Sequence, residues 1–275
     1  MQIYFIIATI DGRENNLDKL IKSIFSNFSY TSKKLIIIKQ SINSKPVISN
    51  FINFIDVIYI NKFGASNARN IGLDYLYRNF IVQNKDLITF PDDDCYYNFS
   101  FSKILLDNLN EFDIIFGDIR DPNDQFRMGS EVYFHRSFKF SFVYINCPSF
   151  FIKSENIKNI RFDNLFGPGA KYFAAEETKF LFDISLNNTN IKSLYNKQIK
   201  IFHPYEKFNP DKNYNYSFAQ GKLFKIILSK LSFIQIISFA VIILRPFAGF
   251  IFSYNNKKRE YYKTRLNGIK NGFLS

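Results

Sequence analysis
Short unbroken runs rich in Ile, Leu, Val and Phe occupy residues 3–9, 35–39, 57–60, 87–90 and 114–116 and alternate with stretches of helical spacing. Leu17, Leu20, Ile21, Ile24 and Phe28 mark one such stretch over 15–28; Ala68, Ile71, Tyr75 and Leu76 mark another over 65–80. Strands buried on both faces read as continuous apolar runs, and helices between them cross back over a largely parallel sheet. The alternation predicts an α/β fold with a Rossmann-like, mostly parallel central sheet flanked by helices. A further helix is expected over 174–186 and a strand over 197–202. The intervening 120–166 is rich in aromatics and turn residues, with Asp121, Pro122, Asn123 and Asp124 as a surface turn. The first run has no basic n-region and no small-residue cleavage site, so it reads as a buried strand rather than a signal peptide. In open sheets of this kind ligands bind beyond the carboxyl ends of the strands.

The 275-residue chain carries a net charge of +12, but unevenly. Ten Lys or Arg and one acid, Glu260, lie from Lys222 onward, a local +9, and the rest of the chain has only +3. A nucleic-acid partner accounts for the total charge but not for the acidic cluster described below, so none is expected. Residues 231–244 are uncharged, Arg245 and Pro246 follow, and 247–256 are uncharged again. A spanning helix needs about 20 apolar residues; a central Arg costs about 2.5–3.5 kcal/mol on insertion, and Pro breaks or kinks the helix. The flanking Lys222, Lys225, Lys230, Lys257, Lys258 and Arg259 instead suit a helix pair lying in the surface of an anionic membrane. A buried hairpin and a true span are the alternatives. The expected division is a sheet unit over 1–215 and a basic, apolar helical tail over 216–275, with the polar, Tyr-rich 209–216 as a linker. Cys95 and Cys147, without CxxC spacing, build neither a disulfide framework nor a zinc finger and fit a reducing compartment.

Four segments carry chemistry. Leu87 to Phe90 runs into Pro91 and then Asp92, Asp93 and Asp94. Adjacent like charges repel, so the cluster is either a solvated acidic turn or a site for a hard divalent cation bridging to phosphates. Gly64 to Gly72, with Arg69 and Asn70, is a small-residue helix start; it is either a capping device or an anion site built on free N–H groups. Phe166-Gly167-Pro168-Gly169 lets backbone approach a ligand closely, and Glu176 and Glu177 beyond it are placed for general-base work or simply complement a helix dipole. His203, directly after an apolar run, is a metal or diphosphate contact or an ordinary hydrogen-bonded His.

These four segments, in this order, resemble the family 2 glycosyltransferases of the GT-A fold over roughly residues 2–205. The resemblance implies an inverting, metal-dependent transfer from a nucleotide-sugar donor, a UDP-sugar, to a saccharide or lipid-linked saccharide acceptor. Thr9 and Arg13 match the first nucleotide-contacting loop, and Arg69 the helix-start motif. Asp92 and Asp94 match the DxD motif, with Asp94 and Asp92 holding Mn²⁺ or Mg²⁺ and His203 as the late metal or diphosphate ligand. Asp93 and Gln40 fall among the nucleotide-binding positions, although many members carry Asp where this chain has Lys39-Gln40-Ser41. Glu177 stands in the position of the base, with Glu176 beside it against the acceptor. The Arg245 to Gly249 tail is similar to that of bacterial enzymes building capsule or lipopolysaccharide O-antigen, which implies a cytoplasmic protein on the inner face of the cell membrane. A sugar nucleotidyltransferase would need a Gly-rich, Arg-containing loop after the first strand, and a DxD phosphatase would need its pair on that strand. A non-catalytic membrane-surface scaffold would have no need of the carboxylates at 92, 94 and 177.

Overall fold
The computed structural model describes residues 1–29, 31–42, 54–97, 108, 110–123, 147–204 and 209–275. Among them, β1 (Gln2–Ile10), β2 (Ser32–Gln40), β3 (Ile55–Ile60), β4 (Leu87–Thr89), β5 (Tyr96–Tyr97), β6 (Ile114–Arg120), β7 (Phe150–Lys153) and β8 (Ser193–Phe202) form one sheet. Its order is β3-β2-β1-β4-β7-β6-β8-β5. The first half matches the expected parallel pattern: β1 pairs β2 from Gln2↔Ser32 to Ile10↔Gln40, β2 pairs β3, and β1 pairs β4 through Phe5↔Thr89. The second half is mixed, because β7 lies antiparallel between β4 and β6, and β5 lies antiparallel on β8. Because β6 and β8 pair in parallel as well, the fold is α/β with a mostly parallel sheet into which β7 and β5 enter antiparallel.

Successive side chains along a strand point to opposite faces, and each face of β1 meets its own helices. Ile3, Phe5 and Ile7 pack with Leu17, Leu20, Ile21 and Ile24 of α1 (Glu14–Asn27). Tyr4 and Ile6 pack with Ala68, Leu73 and Leu76 of α2 (Ala65–Asn79) and with the cluster containing Phe180, Leu181 and Ile184 of α3 (Glu176–Asn187). Each fully buried Leu or Ile adds about 1.5–3 kcal/mol relative to exposure. Gly72 allows α2 to lie directly on β1: a Cβ there would collide with the Ile6 side chain, and overpacking of that kind costs about 1–3 kcal/mol. The turn at Asp121 forms, with Asn123 N donating to Asp121 Oδ1 at 2.9 Å; Asp124 lies outside the described residues.

Beyond β8, the segment read as a linker is helical. Asn209 caps α4 (Pro210–Ile227), its side chain accepting from Lys212 N, and Pro210 sits in the first turn, where its missing N–H costs nothing. Ala219, Leu223 and Ile227 join the same apolar cluster as Tyr4 and Phe180, so α4 packs on the sheet unit and the 215/216 division falls inside it. Next come α5 (Phe233–Phe252) and α6 (Asn256–Leu274). Arg245-Pro246 does not split α5, in contrast to the expected break. One lost hydrogen bond is tolerated where Pro246 is buried and Gly249 admits the Tyr262 ring, which a Cβ would meet at 2.5 Å. No helix among the described residues is long and apolar enough to cross a membrane. On α6, Gly268 and Gly272 lie against the backbone of α4, and Gly221 of α4 lies against that of Ile269.

Candidate active site
The chemistry-bearing segments converge at the carboxyl edge of the sheet. At the end of β4 the chain turns through Pro91, and Asp92 pairs with Ala8 of β1. A turn, closed by Cys95 N donating to Asp92 O at 3.1 Å, then sends the three carboxylates to different partners. Asp93 points inward: it is 4% exposed and accepts from Thr9 Oγ1 at 2.8 Å and Arg13 Nη1 at 2.6 Å. Burial raises its pKa, and the bonds from Thr9 and Arg13 act in the opposite direction. Thr9, Arg13 and Asp93 thus form one unit that holds the turn against β1.

Asp92 and Asp94 point outward toward His203. His203 Nε2 lies 3.2 Å from Asp94 Oδ1 and 3.6 Å from Asp92 Oδ2. The imidazole is oriented by its backbone, whose N donates to Arg120 O at 2.9 Å, and by Nδ1, 3.0 Å from Pro204 O. One ligand atom each from Asp92, Asp94 and His203 falls within 4.8 Å of the others. Burial opposes ionisation of Asp92, but His203 and Arg69 outweigh it and hold the carboxyl below its usual range. Asp94 Oδ1 is buried, with His203 Nε2 as its neighbour at 3.2 Å, and a bound cation would offset the negative charge that the two nearby carboxylates place there. Two carboxylates and one imidazole are a donor set for a divalent metal ion, and the residues present fit one.

The second carboxylate pair comes from the start of α3. Ala175 immediately before it has φ 71°, a left-handed conformation rare for a non-glycine residue, and it turns the chain so that both acids enter the first turn. Glu176 is 3% exposed and bonds Arg69 Nη1 at 3.1 Å, while Arg69 Nη2 bonds Asp92 Oδ1 at 2.9 Å. Arg69, itself 4% exposed, therefore joins the metal-side carboxylates to the α3 carboxylates, and its guanidinium also stacks toward Phe162 at 5.4 Å. Glu177 remains partly exposed. Burial, and then the like charge of Glu176, push its carboxyl well above the usual range, against the pull of Arg69.

Three glycines with positive φ bring the loop before α3 against the start of α2. Gly64, Gly167 and Gly169 have φ of 132°, 104° and 80°. Ala65 N donates to Pro168 O at 3.0 Å and Ser66 Oγ to Phe166 O at 2.6 Å. A Cβ on Gly167 would come 3.0 Å from Ser66 Oγ and 3.1 Å from Glu176 Cδ. Gln40 spends its carbonyl oxygen on Gly64 N at 2.6 Å and so fixes the entry to α2. Sequence reasoning missed the group beside it. Lys39, 1% exposed at the end of β2, bonds Asp11 at 3.2 Å and Glu14 at 3.0 Å, and Ser41 donates to Asp11 at 2.6 Å. The available signal was a Lys closing an otherwise apolar strand, which must be paired to be buried.

A sheet whose carboxyl edge carries an Asp-Asp-His group fit for a divalent cation beside a second carboxylate pair is the arrangement expected of a GT-A glycosyltransferase. The chain belongs to glycosyl transferase family 2, whose family model matches residues 4–173. Its fold is also that of S. aureus TarS: a structure of TarS 1-349 is 14% identical over 99% of this chain and 81% of that one, with a TM-score of 0.61. The complex of TarS 1-349 with UDP is 16% identical over 93% of this chain and 74% of that one, at 0.59. The complex with UDP-GlcNAc is 14% identical over 98% and 79%, at 0.61. No curated protein matches the sequence.

Proposed function
We propose that this glycosyltransferase is inverting and metal-dependent, and that it moves a sugar from a UDP-sugar to a saccharide or lipid-linked saccharide acceptor in bacterial surface polysaccharide synthesis, capsule or lipopolysaccharide. The observation that carries the reading is the buried Arg69, which ties the Asp92–Asp94–His203 group to the Glu176–Glu177 pair through one guanidinium. TarS binds UDP and UDP-GlcNAc, which supports a UDP-linked donor. Asp94, Asp92 and His203 would hold Mn²⁺ or Mg²⁺, and the cation would offset negative charge on the departing diphosphate. Thr9, Arg13 and Asp93 set the height of the acidic turn, and Gln40 sets the start of α2, so these residues shape the donor site from beneath. Glu177 takes the proton from the acceptor hydroxyl as that oxygen attacks the anomeric carbon from the face opposite the leaving group, which inverts the centre without a covalent intermediate. A raised carboxyl pKa lies nearer the operating pH, which favours a general base. Glu176, held by Arg69, fixes the position of its neighbour beside the acceptor.

The sheet unit with α4 carries this chemistry, and the tail beyond α4 holds the enzyme at the cytoplasmic face of an anionic membrane, near a lipid-linked acceptor. The test is release of UDP from a panel of UDP-sugars with Mn²⁺ or Mg²⁺ and with chelator, for the unsubstituted chain and Asp94→Asn. Metal-dependent turnover that Asp94→Asn abolishes is the expected result; full activity in chelator or in that variant overturns the metal assignment.

A further inference from the structure
Among the described side chains of α5, five large apolar ones left exposed share one side of the helix, in a stripe. Phe233, Ile236, Leu244, Phe247 and Ile251 are 77%, 38%, 60%, 53% and 51% exposed. Their spacing returns each to the same side of a helix with 3.6 residues per turn. Gln235 and Pro246, which are buried, and Gly249, against the Tyr262 ring, occupy the opposite side. At about 1.5 Å per residue the stripe is about 27 Å long. Large apolar side chains in line mark an interaction surface, unlike the scattered ones every protein carries. Its borders are basic: Lys230, Arg245, Lys257, Lys258 and Arg259 are all exposed, and α5 itself has no acid. Phe252 and the fully exposed Tyr254 lie at its end, and aromatic rings favour the boundary between hydrocarbon and water.

We infer that this stripe is the surface that enters an anionic bilayer, with α5 lying flat among the lipid headgroups. The inference rests on the peripheral-membrane reading above and names the surface responsible. It differs from the sequence expectation in assigning membrane contact to one continuous helix, while α4 serves the core. Lying flat leaves Arg245 beside the stripe, within reach of lipid phosphates. A second copy of the chain is a poor occupant, because two such faces would bring their cationic borders together, whereas phosphate headgroups complement them.

The chain has no tryptophan, so Phe247→Trp introduces a single fluorescent reporter into the stripe. With vesicles containing phosphatidylglycerol, its emission should shift to the blue and be quenched by acyl-brominated lipids. Ile81→Trp, at a position 95% exposed on the sheet unit, should do neither. In co-sedimentation, the triple variant Leu244→Ser/Phe247→Ser/Ile251→Ser should partition about 100-fold less while keeping its melting temperature and UDP binding. Lys257→Gln/Lys258→Gln/Arg259→Gln should lose only the part of binding that about 0.5 M salt also removes. Failure of the unsubstituted chain to bind any vesicle overturns the peripheral reading itself. Vesicle binding that the serine variant retains, or emission from the Phe247→Trp variant that does not respond to vesicles, overturns the stripe alone. A serine variant that turns an oligomer into a monomer assigns the stripe to a second copy and overturns the inference.

Discussion
Replacing Arg69 by Met removes the cation that bonds both Asp92 and Glu176 while keeping most of the apolar stem. Its partner Glu176 is 3% exposed, so the charge left behind has little access to water. At a separation of about 4 Å and an effective dielectric of about 20, each pair attracts by about 4 kcal/mol before desolvation. Truncating one member of a buried pair costs about 3–5 kcal/mol, chiefly because the survivor stays charged and uncompensated. The Asp92 half adds less, since that side chain is 33% exposed and water screens it. A loss of about 4 kcal/mol should lower the melting temperature of a chain this size by about 8–16 °C, read by differential scanning fluorimetry. The double variant Arg69→Met/Glu176→Gln should recover most of that loss, because it removes the stranded charge, yet should remain inactive, because Asp92 has lost its tether. If Arg69→Met melts within about 2 °C of the unsubstituted protein, or if the double variant melts lower still, the buried-pair argument is wrong.

Glu177→Gln should leave UDP binding intact and slow transfer by about 10² to 10⁴; if Glu176→Gln is the inactive variant and Glu177→Gln turns over, the two roles exchange. Because the Glu177 carboxyl titrates above its usual range and must be ionised to accept a proton, kcat/KM should rise with pH through a midpoint above about 4.3; a rate already flat at that pH contradicts the base assignment. Gly167→Ala forces a Cβ onto a positive φ and against Glu176, so it should cost about 1–3 kcal/mol and depress transfer together with thermal stability. Glu14 is pulled from 4.5 to about 2 by its own backbone N–H, then by Lys39 and Gly12. A depressed carboxylate contributes stability above its ordinary pKa and loses it as pH falls through the folded value. The stability difference between the unsubstituted protein and Glu14→Gln, followed by denaturant titration, should therefore shrink from pH 4.5 toward 2, and an unchanged difference across that window rules the pair out.

The parallel half of the sheet could be read directly, because β1 to β4 are apolar runs separated by helices with clear periodicity. The acidic turn was equally visible, since three like charges after a buried strand need a physical reason. Two strands gave no signal: β5 has two residues, too few for a period, and β7 lies in an aromatic stretch where strand and loop look alike. The polar tyrosines of 209–216 suggested a linker. Asn209 followed by Pro210 was in fact a helix start, and Asn213 is buried because its side chain donates to Tyr261 O at 3.0 Å. Pro246 argued for a break that packing against α6 prevents. Arg69 was recognised as a candidate anion contact, but its partners lie 23 and 107 residues away in sequence. Only the folded chain brings them to one guanidinium.

The close approach of α4 and α6 has a mechanical consequence. Gly221, Gly268 and Gly272 put backbone against backbone, and Arg265 donates across the seam to Gln220 at 2.9 Å, so the two helices are joined at close range. Since α4 is seated in the core beneath α3, a force applied to the intervening α5 reaches the sheet through a stiff joint. With α5 lying on a membrane as inferred above, this joint would act as a mount rather than a tether, holding the carboxyl edge at one height and tilt, and the length of the acceptor, more than the motion of the enzyme, would decide which hydroxyls come within range.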